Sequence, residues 1–263
     1  MFKRWSKYFK NPLFIGSVLS VLVIFALAKF LPFYITEIIE ESVITNNGEI
    51  YFFDLDHDGN SEKLNYYHYD RIFQPTLYLY DSKDKLITFW SFQESPIEDY
   101  KIFTGDYDGD SKDEIYVFTT NADSVFLHVL LPEKVRKPIV NRKFIAKVNS
   151  EDTNLKLTSI GLFDLDLSGN KEFIFTIDGG YPISPRKIFS YDIDKGTLMS
   201  SAEINVDIQF PVFVADIYAD GRPEIIINNK SFDNLGNGNK SQLMVLDHTL
   251  NYLFEPMDFY GGL

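Results

Sequence analysis

The chain has 263 residues, of which 45% are hydrophobic and 24% charged, a composition that is typical of globular proteins and excludes a disordered one. It contains no cysteine, which excludes disulfide bonds, thiol nucleophiles, lipid attachment at cysteine and cysteine-ligated metals. Residues 1–34 carry a charge of +5 within a net charge of −13, so residues 35–263 carry −18, which phosphate backbones would repel and which argues against a nucleic-acid partner.

The segment 13–35 is predicted to be a transmembrane helix. Lys29 is its only charged residue, and its 23 residues are enough to span a bilayer. Four basic residues in the tail 1–12 precede the segment and several glutamates follow it. The positive-inside rule therefore places this tail in the cytoplasm and exports the rest of the chain. Residues 36–48 would then be a linker and 49–263 an extracytoplasmic domain.

A cleaved signal peptide is the alternative for the same segment. The chain has a basic start, an apolar core and the sequence Ala26-Leu27-Ala28, which matches an A-x-A cleavage site. The sequence stays apolar beyond Ala28, which favours the uncleaved anchor. Cleavage near Ala28 would secrete the domain, so both interpretations export it.

One acidic loop occurs four times in the exported domain. Its copies, named loops 1 to 4, are residues 54–62, 106–114, 164–172 and 216–224, and their starts are 52, 58 and 52 residues apart. Each begins with Asp at position 1, has oxygen-bearing side chains at alternate positions, contains a glycine and ends with Glu at position 9. Apolar runs that are typical of strands flank every copy.

This spacing predicts a calcium site. Oxygen ligands at positions 1, 3 and 5, a backbone carbonyl at 7 and a carboxylate at 9 can surround one hard cation, and calcium accepts such flexible loops better than magnesium does. The EF-hand is excluded because no copy has flanking helices and Asn65 and Phe175 occupy position 12 in loops 1 and 3. Two to four structural calcium ions are expected. The predicted metal residues are Asp54, Asp56, Asp58, Asn60 and Glu62; Asp106, Asp108, Asp110, Lys112 and Glu114; Asp164, Asp166, Ser168, Asn170 and Glu172; and Asp216, Asp220 and Glu224.

The four copies are not equal. Loop 3 has Ser168 where loops 1 and 2 have a third aspartate, and loop 4 has Tyr218 at position 3. Because affinity for a hard cation depends on the number of carboxylates, we expect loops 1 and 2 to bind most strongly and loop 4 least.

Each repeat also contains four short apolar runs. In the second repeat these are Tyr100–Thr104, Glu114–Thr119, Ser124–Leu131 and Lys143–Val148. Four short antiparallel strands repeated at a constant period indicate the blades of a β-propeller, with each acidic loop between the first and second strands. The sequence therefore predicts an all-β, propeller-type array of four four-stranded blades, preceded by one transmembrane helix.

The segment Asp106-Tyr107-Asp108-Gly109-Asp110, followed by Glu114-Ile115, resembles the FG-GAP/VCBS repeat. That repeat builds the calcium-bearing propeller of integrin α-subunits and of many bacterial surface proteins, and the resemblance covers residues 49–256. It implies that the loop residues named above are calcium ligands. Propellers of this family commonly have seven blades, and 257–263 looks like the first strand of a further blade. Either four blades close a ring, or the chain is part of a longer protein.

No catalytic motif is visible, since the four histidines are scattered and no nucleophile or phosphate-binding signature occurs. We therefore expect a binding module for adhesion, sensing or assembly, with a protein or glycan ligand outside the cytoplasm, and not an enzyme. Two alternatives remain open. One is the sensor portion of a truncated receptor such as a sensor kinase, and the other is a polysaccharide-acting propeller enzyme.

Overall fold

The structure of the protein is a computed structural model, which describes Ser20 and residues 48–67, 74–97, 102–132, 141–148, 155–179, 183–204, 208–230 and 240–260. The chain divides into two compact units, Met1–Thr45 and Asn46–Leu263. The predicted tail and anchor lie outside the described residues, except for Ser20, which is helical. Among the residues described, none belongs to a helix both long and apolar enough to cross a membrane.

The second unit is built from antiparallel sheets whose strands follow one another in chain order. The first sheet contains β1 (Gly48–Phe53), β2 (Glu62–Tyr67), β3 (Thr76–Tyr80) and β4 (Leu86–Ser91); the second contains β5 (Ser95–Pro96), β6 (Phe103–Gly105), β7 (Glu114–Asn121), β8 (Ser124–Leu130) and β9 (Asn141–Lys147); the third contains β10 (Lys156–Phe163), β11 (Glu172–Asp178), β12 (Arg186–Asp192) and β13 (Thr197–Ser200); and the fourth contains β14 (Ile208–Ala215), β15 (Glu224–Lys230), β16 (Lys240–Leu246) and β17 (Met257–Tyr260).

The predicted all-β class and the four antiparallel sheets are confirmed, with two differences. The first strand of the second sheet is in two pieces, because β5 and β6 both pair with β7. Residues 257–263 were expected to begin another blade, and for residues 257–260, the described part of this segment, the expectation is wrong. A tight turn that starts at Asp247 returns the chain beside β16, where Met257 pairs with Leu243 as part of the fourth strand of the last sheet.

The sheets pack face to face in chain order, and β7 shows how. Its successive side chains point to opposite faces, so Ile115 and Val117 join a core with the first sheet, whereas Tyr116 and Phe118 join a core with the third. A strand covered on both faces needs apolar residues at every position, and this explains the unbroken apolar run. A further core joins the third and fourth sheets.

Aromatic side chains make up much of the core between the second and third sheets. Phe173 is fully buried, and its ring centroid lies 4.4 Å from that of Tyr116, 5.2 Å from Phe103 and 5.4 Å from Phe175. Aromatic pairs of this kind stabilise a core by more than the burial of their surface area alone. This core holds neighbouring loops 2 and 3 in fixed positions.

The outer sheets are less covered. Phe52 and Phe89 of the first sheet and Phe213 and Phe259 of the fourth are exposed. Within the described part of the chain, no core cluster joins the first sheet to the fourth. Four antiparallel sheets packed face to face in chain order make a propeller-like fold.

Candidate metal centre

The four acidic loops have one backbone conformation. In each of them positions 4 and 6 have positive φ values, such as 56° at His57 and 88° at Gly59. Glycine adopts this region without strain, and it stands at position 6 in loops 1, 3 and 4. Loop 2 reverses the arrangement, with Gly109 at position 4 and Ser111 at position 6. The shifted glycine therefore leaves the path of the loop unchanged.

The aspartate at position 1 organises the turn. One oxygen of its carboxylate accepts the N–H of position 6 in every loop, at 3.0 Å from Gly59 to Asp54 and at 2.8 Å from Gly221 to Asp216. The equivalent bonds to the position-1 carboxylate are 3.0 Å in loop 2 and 2.9 Å in loop 3. The position-5 side chain in turn accepts the N–H of position 7, as Asp58 does from Asn60 and Asp110 from Lys112.

The glutamate at position 9 bonds back to the start of its own loop. Its Oε2 accepts the N–H of position 2 at 2.9 Å in loop 1, 3.2 Å in loop 2, 2.7 Å in loop 3 and 2.8 Å in loop 4. Glu62, Glu114, Glu172 and Glu224 are all buried. The sequence pattern marked these residues as ligands but did not indicate this fourfold structural bond.

Carboxylate oxygens converge in three of the four loops. Ligand atoms lie within 4.8 Å of one another in three sets, which are Asp54, Asp56 and Asp58; Asp106, Asp108 and Asp110; and Asp164, Asp166 and Glu172. Loop 3 has Ser168 at position 5, and Glu172 at position 9 is the third carboxylate of its set. Loop 4 has no such set among its described residues, and Tyr218 at position 3 is exposed. The number of converging carboxylates therefore separates loops 1 to 3 from loop 4 and does not distinguish loop 3 from loops 1 and 2.

The surroundings of Asp54 indicate whether loop 1 fits a cation. Oδ1 of Asp54 is buried and has no hydrogen-bond partner among the described residues, while Oδ2 is used by Gly59. An ionised oxygen buried without a partner is costly unless a cation or donor meets it. The donor set consists of hard oxygens, which suit calcium. Loop 1 therefore fits a calcium ion.

Without a bound cation, burial raises the pKa of three of the position-9 glutamates. Burial, together with the charges of the neighbouring aspartates, raises the pKa of Glu114 to about 7, although the N–H of Tyr107 opposes the change. Burial also raises the pKa of Glu62 and that of Glu172, and the nearby aspartates add to both effects. Each of these glutamates therefore holds a proton more strongly than an exposed one.

Neighbouring loops are joined by a repeated backbone bond. The N–H of position 8 donates to the carbonyl of position 2 in the preceding loop, from Asp113 to Leu55 at 2.8 Å and from Lys171 to Tyr107 at 2.9 Å. In loop 4 position 8 is Pro223, which has no N–H to donate. Loops 1 to 3 are therefore linked in series, and loop 4 lacks this bond.

Lys195, which lies outside the four loops, pairs with a carboxylate of loop 3. Nζ of Lys195, in the turn between β12 and β13, lies 2.6 Å from Oδ2 of Asp166 and 2.8 Å from Oδ2 of Asp192. The bond from Lys195 lowers the pKa of Asp166, and Ser168 contributes further. Sequence reasoning missed this residue because it lies 23 positions after Glu172 and belongs to no motif.

A second polar cluster is buried away from the loops. Nε of Arg142 donates to Oε1 of Glu94 at 2.7 Å, and Nε2 of His128 lies 2.8 Å from Oγ1 of Thr119. Burial lowers the pKa of His128 to about 4, so its ring is neutral at pH 7. Glu94 is a buried carboxylate whose charge is paired with Arg142, a side chain that is about half exposed, and His128 and Thr119 are fully buried.

Comparison with known proteins gives no family. No family model and no curated protein matches the chain. Among solved structures, BBS1N in complex with ARL6DN, soaked with lead, has 9% identity and a TM-score of 0.41 over 79% of this chain and 55% of that chain. The V. cholerae biofilm matrix protein Bap1 has 15% identity and a TM-score of 0.34 over 82% of this chain and 39% of that chain. The chain thus spans about half of the first protein and less of the second.

Proposed function

We propose that this protein is a membrane-anchored, extracytoplasmic binding module whose propeller-like domain is stabilised by calcium. Loops 1 and 2 would hold the strongest ions, loop 3 a weaker one, and loop 4 would form without metal. In this role calcium connects the first and second strands of a sheet and performs no chemistry. The partner would be a protein or glycan outside the cytoplasm.

The observation that carries the proposal is the orphaned, buried Oδ1 of Asp54, because the carboxylate of Asp54 belongs to a set of converging aspartates. Three sets of converging carboxylate oxygens in loops of one backbone conformation support it, and positions 1 and 3 contribute to every set. The apolar, singly charged segment 13–35 and its basic tail 1–12 support the anchor.

Calcium binding can be tested on the full chain in mild detergent, by calorimetry and by elemental analysis after dialysis. We expect two to three bound calcium ions, a melting temperature that falls in chelator, and recovery with calcium but not with an equal concentration of magnesium. An ion present at about 100 times its Kd stabilises the fold by about 2.7 kcal/mol per site. An unchanged melting temperature with no bound calcium would refute the metal assignment.

The anchor is tested separately by protease treatment of intact cells. Digestion should remove the domain 49–263 and spare the tail 1–12. Complete protection of the domain would contradict the orientation, and a mature chain that starts after Ala28 would establish the cleaved signal peptide.

A further inference from the structure

A cavity of about 480 Å³ lies beside loop 1, within the usual range for ligand sites. Acidic and apolar side chains both line it. The acidic ones are Asp56, Asp58 and Glu62 from the loop and Asp81 from the turn after β3, while Leu79, Ile87 and Pro132 provide apolar surface. Lys112 of loop 2 adds one positive charge to the lining. Glu62 is only 7% exposed, so one strongly buried carboxylate forms part of the lining.

The third sheet shows what the equivalent residues hold. Asp166 is the counterpart of Asp56, since both stand at position 3. Asp192 is the counterpart of Asp81, as the strand register shows. The residue after position 9 pairs with Tyr80 in the first sheet and with Tyr191 in the third, and the aspartate is the next residue in each case. In the third sheet these two aspartates bind the ammonium of Lys195 from two sides.

The first sheet has the same aspartates and lacks that lysine. Three positions after Asp81 the chain has Asp84, whereas three positions after Asp192 it has Lys195. Oδ1 of Asp81 accepts the backbone N–H groups of Lys83 and Lys85, so the turn is formed without using Oδ2. Within the part of the chain that is described, neither Asp56 nor Asp81 makes an ion pair.

We propose that the cavity beside loop 1 binds the ammonium group of a lysine side chain from a partner protein, held between Asp56 and Asp81. The four-carbon stem of this lysine would pack against Leu79, Ile87 and Pro132. The proposal rests on the binding role given above and names the chemistry of the ligand.

A calcium ion in loop 1 is compatible with this ligand. Four carboxylates line the cavity, and one calcium ion together with Lys112, which is part of the lining, would balance three of their charges, so the cavity stays acidic with the metal bound. An anion would be repelled there. A lysine side chain offers both a charge for the aspartates and a stem for the apolar lining.

The test is calorimetric titration of the full chain in saturating calcium with Nα-acetyl-lysine amide, and with Nα-acetyl-norleucine amide as the uncharged analogue. We expect one site that binds the lysine derivative at least about tenfold more tightly than the norleucine derivative, because the uncharged analogue cannot form the charge-assisted hydrogen bonds. Asp81→Asn should weaken binding about tenfold while its amide oxygen keeps the turn. Asp247→Asn is the matched control, because it changes the equivalent turn of the fourth sheet, where position 3 is Tyr218.

A second variant tests the equivalent site of the third sheet, which the side chain of Lys195 occupies. Lys195→Ala should raise the number of bound lysine amides from one to two, and added n-propylammonium should restore part of the lost melting temperature. Equal binding of the norleucine derivative, or full binding by Asp81→Asn, would overturn the inference. If calcium still raises the melting temperature in that case, only the lysine site fails and the proposed function stands.

Discussion

Replacement of Glu114 by glutamine should stabilise the protein in chelator at high pH and destabilise it in calcium. Glu114 is buried, and its pKa is raised from 4.5 to about 7. A carboxyl group whose folded-state pKa lies above its unfolded value contributes stability below the unfolded pKa, and that contribution is lost as the pH rises through the folded one. Between pH 5 and pH 8 the chelated wild type should therefore lose stability at this residue.

The magnitude follows from the pKa. At about 1.4 kcal/mol per pKa unit, the rise from 4.5 to about 7 corresponds to an upper limit of about 3.5 kcal/mol. Glutamine is neutral at every pH, and its side-chain oxygen can still accept the N–H of Tyr107. For a domain of this size, about 3.5 kcal/mol corresponds to a difference in melting temperature of at most roughly 7–14 °C at pH 8, which should disappear at pH 4.

Calcium should reverse the order. A bound ion favours the ionised carboxylate, so the wild type gains stability that Glu114→Gln cannot match. The assay is thermal unfolding of both proteins at pH 4, 6 and 8, in chelator and in calcium. Glu224→Gln is the matched control, because it changes the same position in the loop without a converging carboxylate set. Parallel pH dependence of wild type and Glu114→Gln in chelator would refute the argument from burial.

Three further changes have expected outcomes. Asp54→Ala should lower the number of bound calcium ions by one in elemental analysis, whereas Asp216→Ala should leave it unchanged. Asp113→Pro should have a free energy of unfolding about 1 kcal/mol below that of Asp113→Ala in urea titrations. Both variants lose the contact of Asp113 with His57, and only the proline also removes the N–H that bonds to the preceding loop. The proline of loop 4 shows that the backbone accepts this residue, and equal stability of the two variants would contradict the prediction. Phe173→Ala should cost about 3–5 kcal/mol in the same assay, and Phe213→Ala, at an exposed position, less than about 0.5 kcal/mol.

The strands were predictable because their pattern is local. The third strand of the first sheet was expected at Thr76–Tyr80 and is found there. The apolar runs at Glu114 and Ser124 likewise mark the starts of β7 and β8. The split first strand of the second sheet was not predictable, since β5 is only two residues long and is defined by its pairing with Thr119 and Thr120.

The convergence of oxygens in loops 1 to 3 was also predictable, because the path of a nine-residue turn depends on its own glycine and aspartates. The contacts between loops were not. The bond from Asp113 to Leu55 joins residues 58 positions apart, and Lys195 reaches Asp166 from another turn. Such contacts depend on which sheets are neighbours, and a repeat pattern read along the chain carries no information about them.

The same framework is used with different counter-ions in different sheets. In every loop the protein's own N–H groups fix the backbone through positions 1 and 9, so the loop does not require a cation for its shape. What varies is the excess negative charge. Loops 1 and 2 present three aspartates, loop 3 has Lys195 beside its carboxylates, and loop 4 has Tyr218 where an aspartate would stand. Because a fixed backbone cannot relax to separate like charges, the sheets with the most carboxylates are those whose stability should depend most on a cation supplied from outside.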